Sequence, residues 1–183
     1  MDTLVVAEGK FLNPEFILNQ CEISAGIWAA DFGCGAGYFS LPLAKIIGQD
    51  GKLFSFDVIP QALESVTSKA KNLGLSNIVT NRVNLEKKEG SKLEAETVDF
   101  VVMKDVLFQN KNKEIILKEA YRILKKGAKA LILEWNQDMQ GIGPAKELRI
   151  DEAELKNLAE KETFEIVKEI EAGKFHYAFL MKK

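Results

Sequence analysis

Apolar residues come in short blocks set apart by glycine, proline or charged breaks, and the blocks alternate between two periods. Ile27 to Phe32 is a nearly unbroken apolar run, the pattern of a buried strand. Phe39, Leu43, Ile46 and Ile47 then recur at helical spacing, which predicts a helix over about Tyr38 to Ile47. Pro42 falls in its first turn, where a missing N–H is tolerated. Asp50-Gly51 marks a turn, and Lys52 to Asp57 reads as the second strand. Pro60 opens a helix that closes at Gly74, with Leu63, Val66, Ala70 and Leu73 on one face. Asn77 to Val83 and Thr97 to Met103 are the third and fourth strands. Glu114 to Leu124 predicts a helix ended by the basic turn Lys125-Lys126 and a Gly127 cap. Ala128 to Trp135 is the fifth strand.

A lead-in helix spans Asn13 to Cys21 (about 13–22), with Phe16, Ile17 and Leu18 apolar. After the fifth strand comes a stretch of 137–150 containing Met139, Gly141, Ile142, Gly143 and Pro144, which suits a substrate-side loop. Asp151 is placed to cap a helix to Glu160. Phe164 to Glu171 and Phe175 to Met181 are strands joined by Ala172-Gly173-Lys174. So short a link makes a hairpin, and the last strand must run antiparallel to its neighbour. Alternating strands and helices before it predict a doubly wound α/β sheet of seven strands, mostly parallel, ending in that antiparallel hairpin.

Composition narrows the class. The 183 residues, 46% hydrophobic, fit a single domain with a full core. A net charge of −2 does not announce a nucleic-acid binder. Two cysteines and one histidine are too few for a structural zinc site or a disulfide framework, so no metal is expected and a reducing cytoplasm is the default. No signal pattern follows Asp2 and Glu8, and no apolar run approaches the ~18 residues that span a bilayer.

The chemistry concentrates in Asp31-Phe32-Gly33-Cys34-Gly35-Ala36-Gly37, where a strand runs into three glycines at every second position. Such glycines let backbone approach a ligand closely, and the following helix aims free N–H groups at the same spot. Asp57, twenty residues beyond Gly37 and ending the next strand, is placed to accept from a ribose diol. A dinucleotide fingerprint needs glycine at position 38, which is Tyr38. The D-x-G-x-G-x-G pattern instead resembles motif I of the class I S-adenosylmethionine (SAM) methyltransferases, of the type 11 or quinone-methylase-like branch. Cys34 is a common variant of that family's loop. The resemblance covers roughly Ile23 to Lys183 and implies a Rossmann-like methyltransferase fold with its terminal antiparallel hairpin.

The resemblance also implies site residues. The glycine loop, Gly33, Cys34, Gly35 and Gly37, would pack against the amino-acid part of the cofactor, with Asp31 beneath it reaching the amino group or bracing the loop. Asp57 would hold the ribose, and Val58 and Leu85 would wall the adenine or simply pack the core. Asn84 stands where many members carry an acid for the adenine amino group; an amide oxygen accepts the same bond without charge. Lys104 ends the fourth strand at motif IV. A cation beside a sulfonium is unfavourable, so its ammonium is expected to point away or to pair with Asp105. His176, the sole histidine, reads as a general base or, more commonly for a lone strand histidine, a structural residue. Glu134 and Asp105 make a metal site only with a third ligand. Phe11, Phe108 and Trp135 are candidate acceptor-pocket aromatics.

The implied function is methyl transfer from SAM, by one in-line displacement, to a small-molecule acceptor. Three alternatives stay open or weigh against it. An RNA or protein methyltransferase of the same fold would use the lysines at 87–88 and 111–113. A nicotinamide-dependent oxidoreductase conflicts with Tyr38 and the hairpin. A SAM-binding protein without turnover shares every residue named above.

Overall fold

The computed structural model describes residues 12–139 and 141–183. Its sheet has seven strands in the order β3-β2-β1-β4-β5-β7-β6. The strands are β1 (Trp28–Phe32), β2 (Lys52–Asp57), β3 (Ile78–Arg82), β4 (Val98–Lys104), β5 (Leu124–Trp135), β6 (Glu165–Ile170) and β7 (His176–Lys182). The first five are parallel, and β7 runs antiparallel between β5 and β6. The helices are α1 (Pro14–Asn19), α2 (Ser40–Ile47), α3 (Pro60–Asn72), α4 (Lys113–Ile123) and α5 (Glu152–Lys161). Among the described residues no helix is long and apolar enough to cross a membrane.

Alternation along the central strands supplies both faces of the sheet. Ala30, Phe32, Val101, Met103 and Ile132 join one buried cluster with Ile116, Leu117 and Ala120 of α4. Ala29, Phe100, Val102, Leu131 and Leu133 join the other with Leu43, Ala44 and Ile47 of α2. Parallel strands covered on both faces read as continuous apolar runs for this reason. Local caps agree: Asn13 Oδ1 accepts from the Phe16 N–H, and Asp151 Oδ1 accepts from Ala153 and Glu154.

Three local expectations need correction. Gly127 does not cap a helix. Leu124 leaves the helix in extended conformation and pairs with Val98, and Lys125 to Gly127 form an irregularity within β5. The Gly127 N–H donates to the Lys183 carbonyl at 2.9 Å, a sheet contact and not a helix-terminal one. Leu73 is exposed at the end of α3, while Leu63, Val66 and Ala70 are buried as expected. Phe16 is likewise exposed, leaving Ile17 and Leu18 to anchor α1.

The order places a switch point between β1 and β4: connections from β1 lead outward through β2 and β3, and those from β4 lead the other way. Loops diverge there at the carboxyl ends, which opens a crevice in a sheet of this kind. The loop after β3 is held from below by buried Glu119 of α4. Its carboxylate accepts from the Ser91 N–H (2.9 Å) and hydroxyl (2.5 Å) and from Arg122 (2.8 and 2.9 Å). These bonds hold the carboxyl below its usual range against the opposing effect of burial.

Candidate active site: a cleft at the switch point

A cleft of about 560 Å³ opens at the carboxyl ends of β1 to β4. That volume suits a cofactor-sized ligand. The structure brings Gly33, Gly35, Asp57, Val58, Asn84 and Leu85 together on its lining, from three separate strand ends. Val106, at the end of the fourth strand, also lines it, and Ile59, Val83, Glu86, Gln109, Asn110 and Ile116, which no sequence motif marks, complete it.

The glycine loop leaves β1 under tight restraint. Gly33 has φ +69°, and a Cβ built there would lie 2.5 Å from Val106 Cγ2. The Cys34 N–H donates to the Phe56 carbonyl at 2.9 Å, tying the loop to β2. Asp57 adds a second tie: Oδ2 accepts from the Gly35 N–H and Oδ1 from the Ile59 N–H, each at 2.9 Å. Its carboxylate is only half-buried, so lone pairs beyond these two bonds still face the cleft. Asp57 therefore organises the loop as well as lining the site.

Four candidates lie off the lining. Asp31 is 2% exposed and accepts from the Ser40 hydroxyl at 2.6 Å; that hydroxyl in turn accepts from Ser55 at 3.0 Å. This chain of side chains ties the end of β1 to the start of α2 beneath the glycine loop. Cys34 packs its thiol against Leu63 and Val66 and donates from Sγ to the Gly35 carbonyl at 3.6 Å, which keeps the side chain off the cleft lining. Burial pushes that thiol above its ordinary range. Gly37 is buried where the loop enters α2, beside Val66. Lys104 pairs its ammonium with Asp105, one of the two arrangements the sulfonium argument allows. Asn84 does reach the cleft, with its Oδ1 accepting from the Glu86 N–H at 2.9 Å in a local turn.

Beside the cleft, Glu134 is 1% exposed at the end of β5. Its Oε1 accepts from the Leu107 N–H (2.7 Å) and Phe108 N–H (3.3 Å), which fixes the turn after β4. Among the described residues its Oε2 has no partner. Burial, then the nearby Asp105, push the Glu134 carboxyl up to about 8; burial pushes Asp31 up to about 7. Both groups hold a proton in the folded state that the unfolded chain releases near pH 4. Their contribution to stability is therefore full below about pH 4 and is lost as pH rises through about 7 to 8. Glu134→Gln keeps the Oε1 acceptor and is expected to flatten this decline. Urea melts from pH 5 to 8 check it: a wild-type curve that does not fall more steeply than the variant's would count against the buried acid.

The stretch after β5 is organised around Arg149, a residue that belongs to no sequence motif. Its guanidinium donates to the carbonyls of Asn136 (2.5 Å), Met139 (2.5 Å), Ile142 (2.7 Å) and Pro144 (3.0 Å). The group also lies 5.7 Å from the Trp135 ring centroid. Gly143 packs on the other atoms of that ring, where a Cβ would come within 2.5 Å. Of the acceptor-pocket aromatics, Trp135 stands at this junction and Phe108 packs half-buried on the core; Phe11 lies outside the described residues.

A methyltransferase-domain family model matches residues 23–179. The chain is 28% identical over 123 residues to a demethylmenaquinone methyltransferase of Oceanobacillus iheyensis, covering 66% of this chain and 49% of that protein. It is 27% identical over 140 residues to an arsenite methyltransferase of Aquipseudomonas alcaligenes, covering 74% and 38%. The chain thus spans about half the length, or less, of these two curated relatives. A SAM-dependent methyltransferase structure from Aquifex aeolicus superposes with a TM-score of 0.86 at 26% identity, covering 94% of this chain and 90% of that one. With the strand order, the glycine loop and Asp57 in one cleft, and a family match over most of its length, the chain belongs to the class I methyltransferases, whose methyl donor is S-adenosylmethionine.

Proposed function

We propose that the 183 residues act as one domain that moves a methyl group from SAM to a small-molecule acceptor in the cytoplasm. The observation that carries this reading is the convergence of Gly33, Gly35 and Asp57 in one cleft, with the Asp57 carboxylate bonded to the loop and still open to a ligand. Asp57 would take the ribose hydroxyls, Val58 and Leu85 the faces of the adenine, and Asn84 an adenine edge. The loop backbone from Gly33 to Gly37 would meet the amino-acid part, braced by Asp31. Lys104 would act outside the cofactor contacts, through Asp105.

In-line methyl transfer needs positioning and exclusion of water more than covalent catalysis. The braced loop supplies the positioning. The two curated relatives named above bear the names of small-molecule acceptors, which supports that acceptor class. Arsenic is disfavoured here because Cys21 and Cys34 are both buried and sit in separate clusters.

Calorimetric titration with S-adenosylhomocysteine, with NAD and NADP as controls, tests the cofactor. Asp57→Ala is expected to weaken S-adenosylhomocysteine about 30-fold, the loss of about 2 kcal/mol of charge-assisted hydrogen bonding. Unchanged affinity in that variant, or tighter binding of a nicotinamide cofactor by the parent, would sink the reading.

A further inference from the structure

A second cluster lies across the carboxyl ends of β4 and β5 and the start of β7. Asp105 and His176 belong to segments two strands apart, with β5 between them. They meet over the end of β5, where His176 Nε2 is 3.1 and 3.4 Å from the two carboxylate oxygens. Asp105 reaches this position from left-handed backbone, φ +56°. That conformation costs a non-glycine residue on the order of 1 kcal/mol and is held only where its surroundings enforce it. Both side chains are withdrawn from water, His176 at 6% and Asp105 at 12% exposure. The imidazole lies against Trp135 with ring centroids 4.2 Å apart.

A carboxylate that accepts from Nε2 fixes the Nε2–H tautomer and leaves the lone pair on Nδ1. Among the described residues Nδ1 has no hydrogen bond to satisfy it. An imidazole oriented by a carboxylate, with its other nitrogen free, is the arrangement that accepts a proton from a substrate. The charged and titratable groups around the pair are Lys104, which neutralises the Asp105 carboxylate, buried Glu134 beneath, and Arg149 near Trp135. The pair adjoins the cleft. Asp105 directly precedes Val106, which lines it against Gly33, and the cleft residue Gln109 donates to the Asp105 carbonyl at 2.7 Å.

We propose that His176, positioned by Asp105, is the general base of the methyl transfer, taking the proton of an acidic O–H on the acceptor. This rests on reading the cleft as the methyl-donor site. A neutral imidazole can take a proton from an acidic O–H such as a phenol's or enol's, not from an ordinary alcohol. The acceptor O–H proton passes to Nδ1. The electron pair it leaves, on oxygen or on the conjugated carbon, attacks the sulfonium methyl. The carbon–sulfur bond breaks, and its pair stays on sulfur in neutral S-adenosylhomocysteine. An imidazolium remains against the Asp105 carboxylate; where carbon attacks, that carbon's proton is lost to solvent and the imidazolium returns its own to oxygen, which restores the O–H and the neutral base.

The test uses the full chain with S-adenosylhomocysteine bound and para-nitrophenol as the probe, because its anion absorbs visible light. A sole histidine gives one set of ring-nitrogen NMR signals. The ring is expected to rest with Nε2–H and bare Nδ1, and to become imidazolium as para-nitrophenol is added, with phenolate absorbance above that of the same probe concentration in buffer alone. His176→Gln keeps an amide N–H for Asp105 and is expected to lose that excess with S-adenosylhomocysteine affinity unchanged. Asp105→Asn is expected to diminish both signals. A ring resting as Nδ1–H, or one that stays neutral with the probe present, overturns the base assignment and leaves the cofactor reading intact. A parent protein that fails to bind S-adenosylhomocysteine overturns both.

Discussion

Gly33→Ala is expected to weaken S-adenosylhomocysteine more than 100-fold and to cost the fold about 2–4 kcal/mol. Two causes add. A side chain at φ +69° is strained on its own account by about 1 kcal/mol. The new methyl also falls 2.5 Å from Cγ2 of Val106, a β-branched residue 4% exposed with little room to rotate. Either Val106 moves into the cleft and narrows it, or the loop lifts off Val106 and carries the Gly35 N–H away from Asp57. Calorimetry and urea melts read the two effects. Adding Val106→Ala should recover part of both, because the clash is then gone while the backbone strain remains. Parental affinity in Gly33→Ala alone would show that the loop does not contact the cofactor as closely as this geometry requires.

Arg149→Leu is expected to open the 136–150 loop at a cost of about 3 kcal/mol in local stability. The substitution leaves the four carbonyls without their charged donor and takes the guanidinium from Trp135. Those bonds are worth more than neutral ones, and their loss is discounted here because water can reach an opened surface loop. Proteolytic nicking between Asn136 and Ile150 should rise, and the emission of Trp135 should shift to the red. Affinity for S-adenosylhomocysteine should change little, since no residue of this loop lines the cleft. A loop equally protected in the variant would mean that its conformation is set by something other than Arg149.

The sequence-level reading reached the fold because each strand and helix carries its own punctuation. Pro60 opens a helix, Asp151 caps one, and Gly173 turns the final hairpin. It erred at Leu124 because Lys125-Lys126-Gly127 has the composition of a helix end. Pairing with Val98 and with Lys183 decides that segment, and such pairing has no local signature. In the site, strand-end positions were legible because a parallel sheet presents all of them at one edge. Side-chain direction within the glycine loop was not. Asp31 and Cys34 turn inward toward Ser40 and Val66, partners chosen by tertiary packing. Arg149 left almost no trace. An arginine between Leu148 and Ile150, just before a cap, was the only cue, and its ligands are main-chain carbonyls that any sequence supplies.

The placement of β7 between β5 and β6 has a consequence for biosynthesis. The ribosome makes β6 before the strand that must separate it from β5. Until β7 emerges, β5 offers an open edge and β6 has no neighbour to pair with. An unpaired apolar edge is the feature that chaperones shield and that nascent chains use to aggregate. The same last strand carries His176, so the proton-accepting pair forms only when the sheet closes. A chain stalled before that point could have its glycine loop in place yet lack its base.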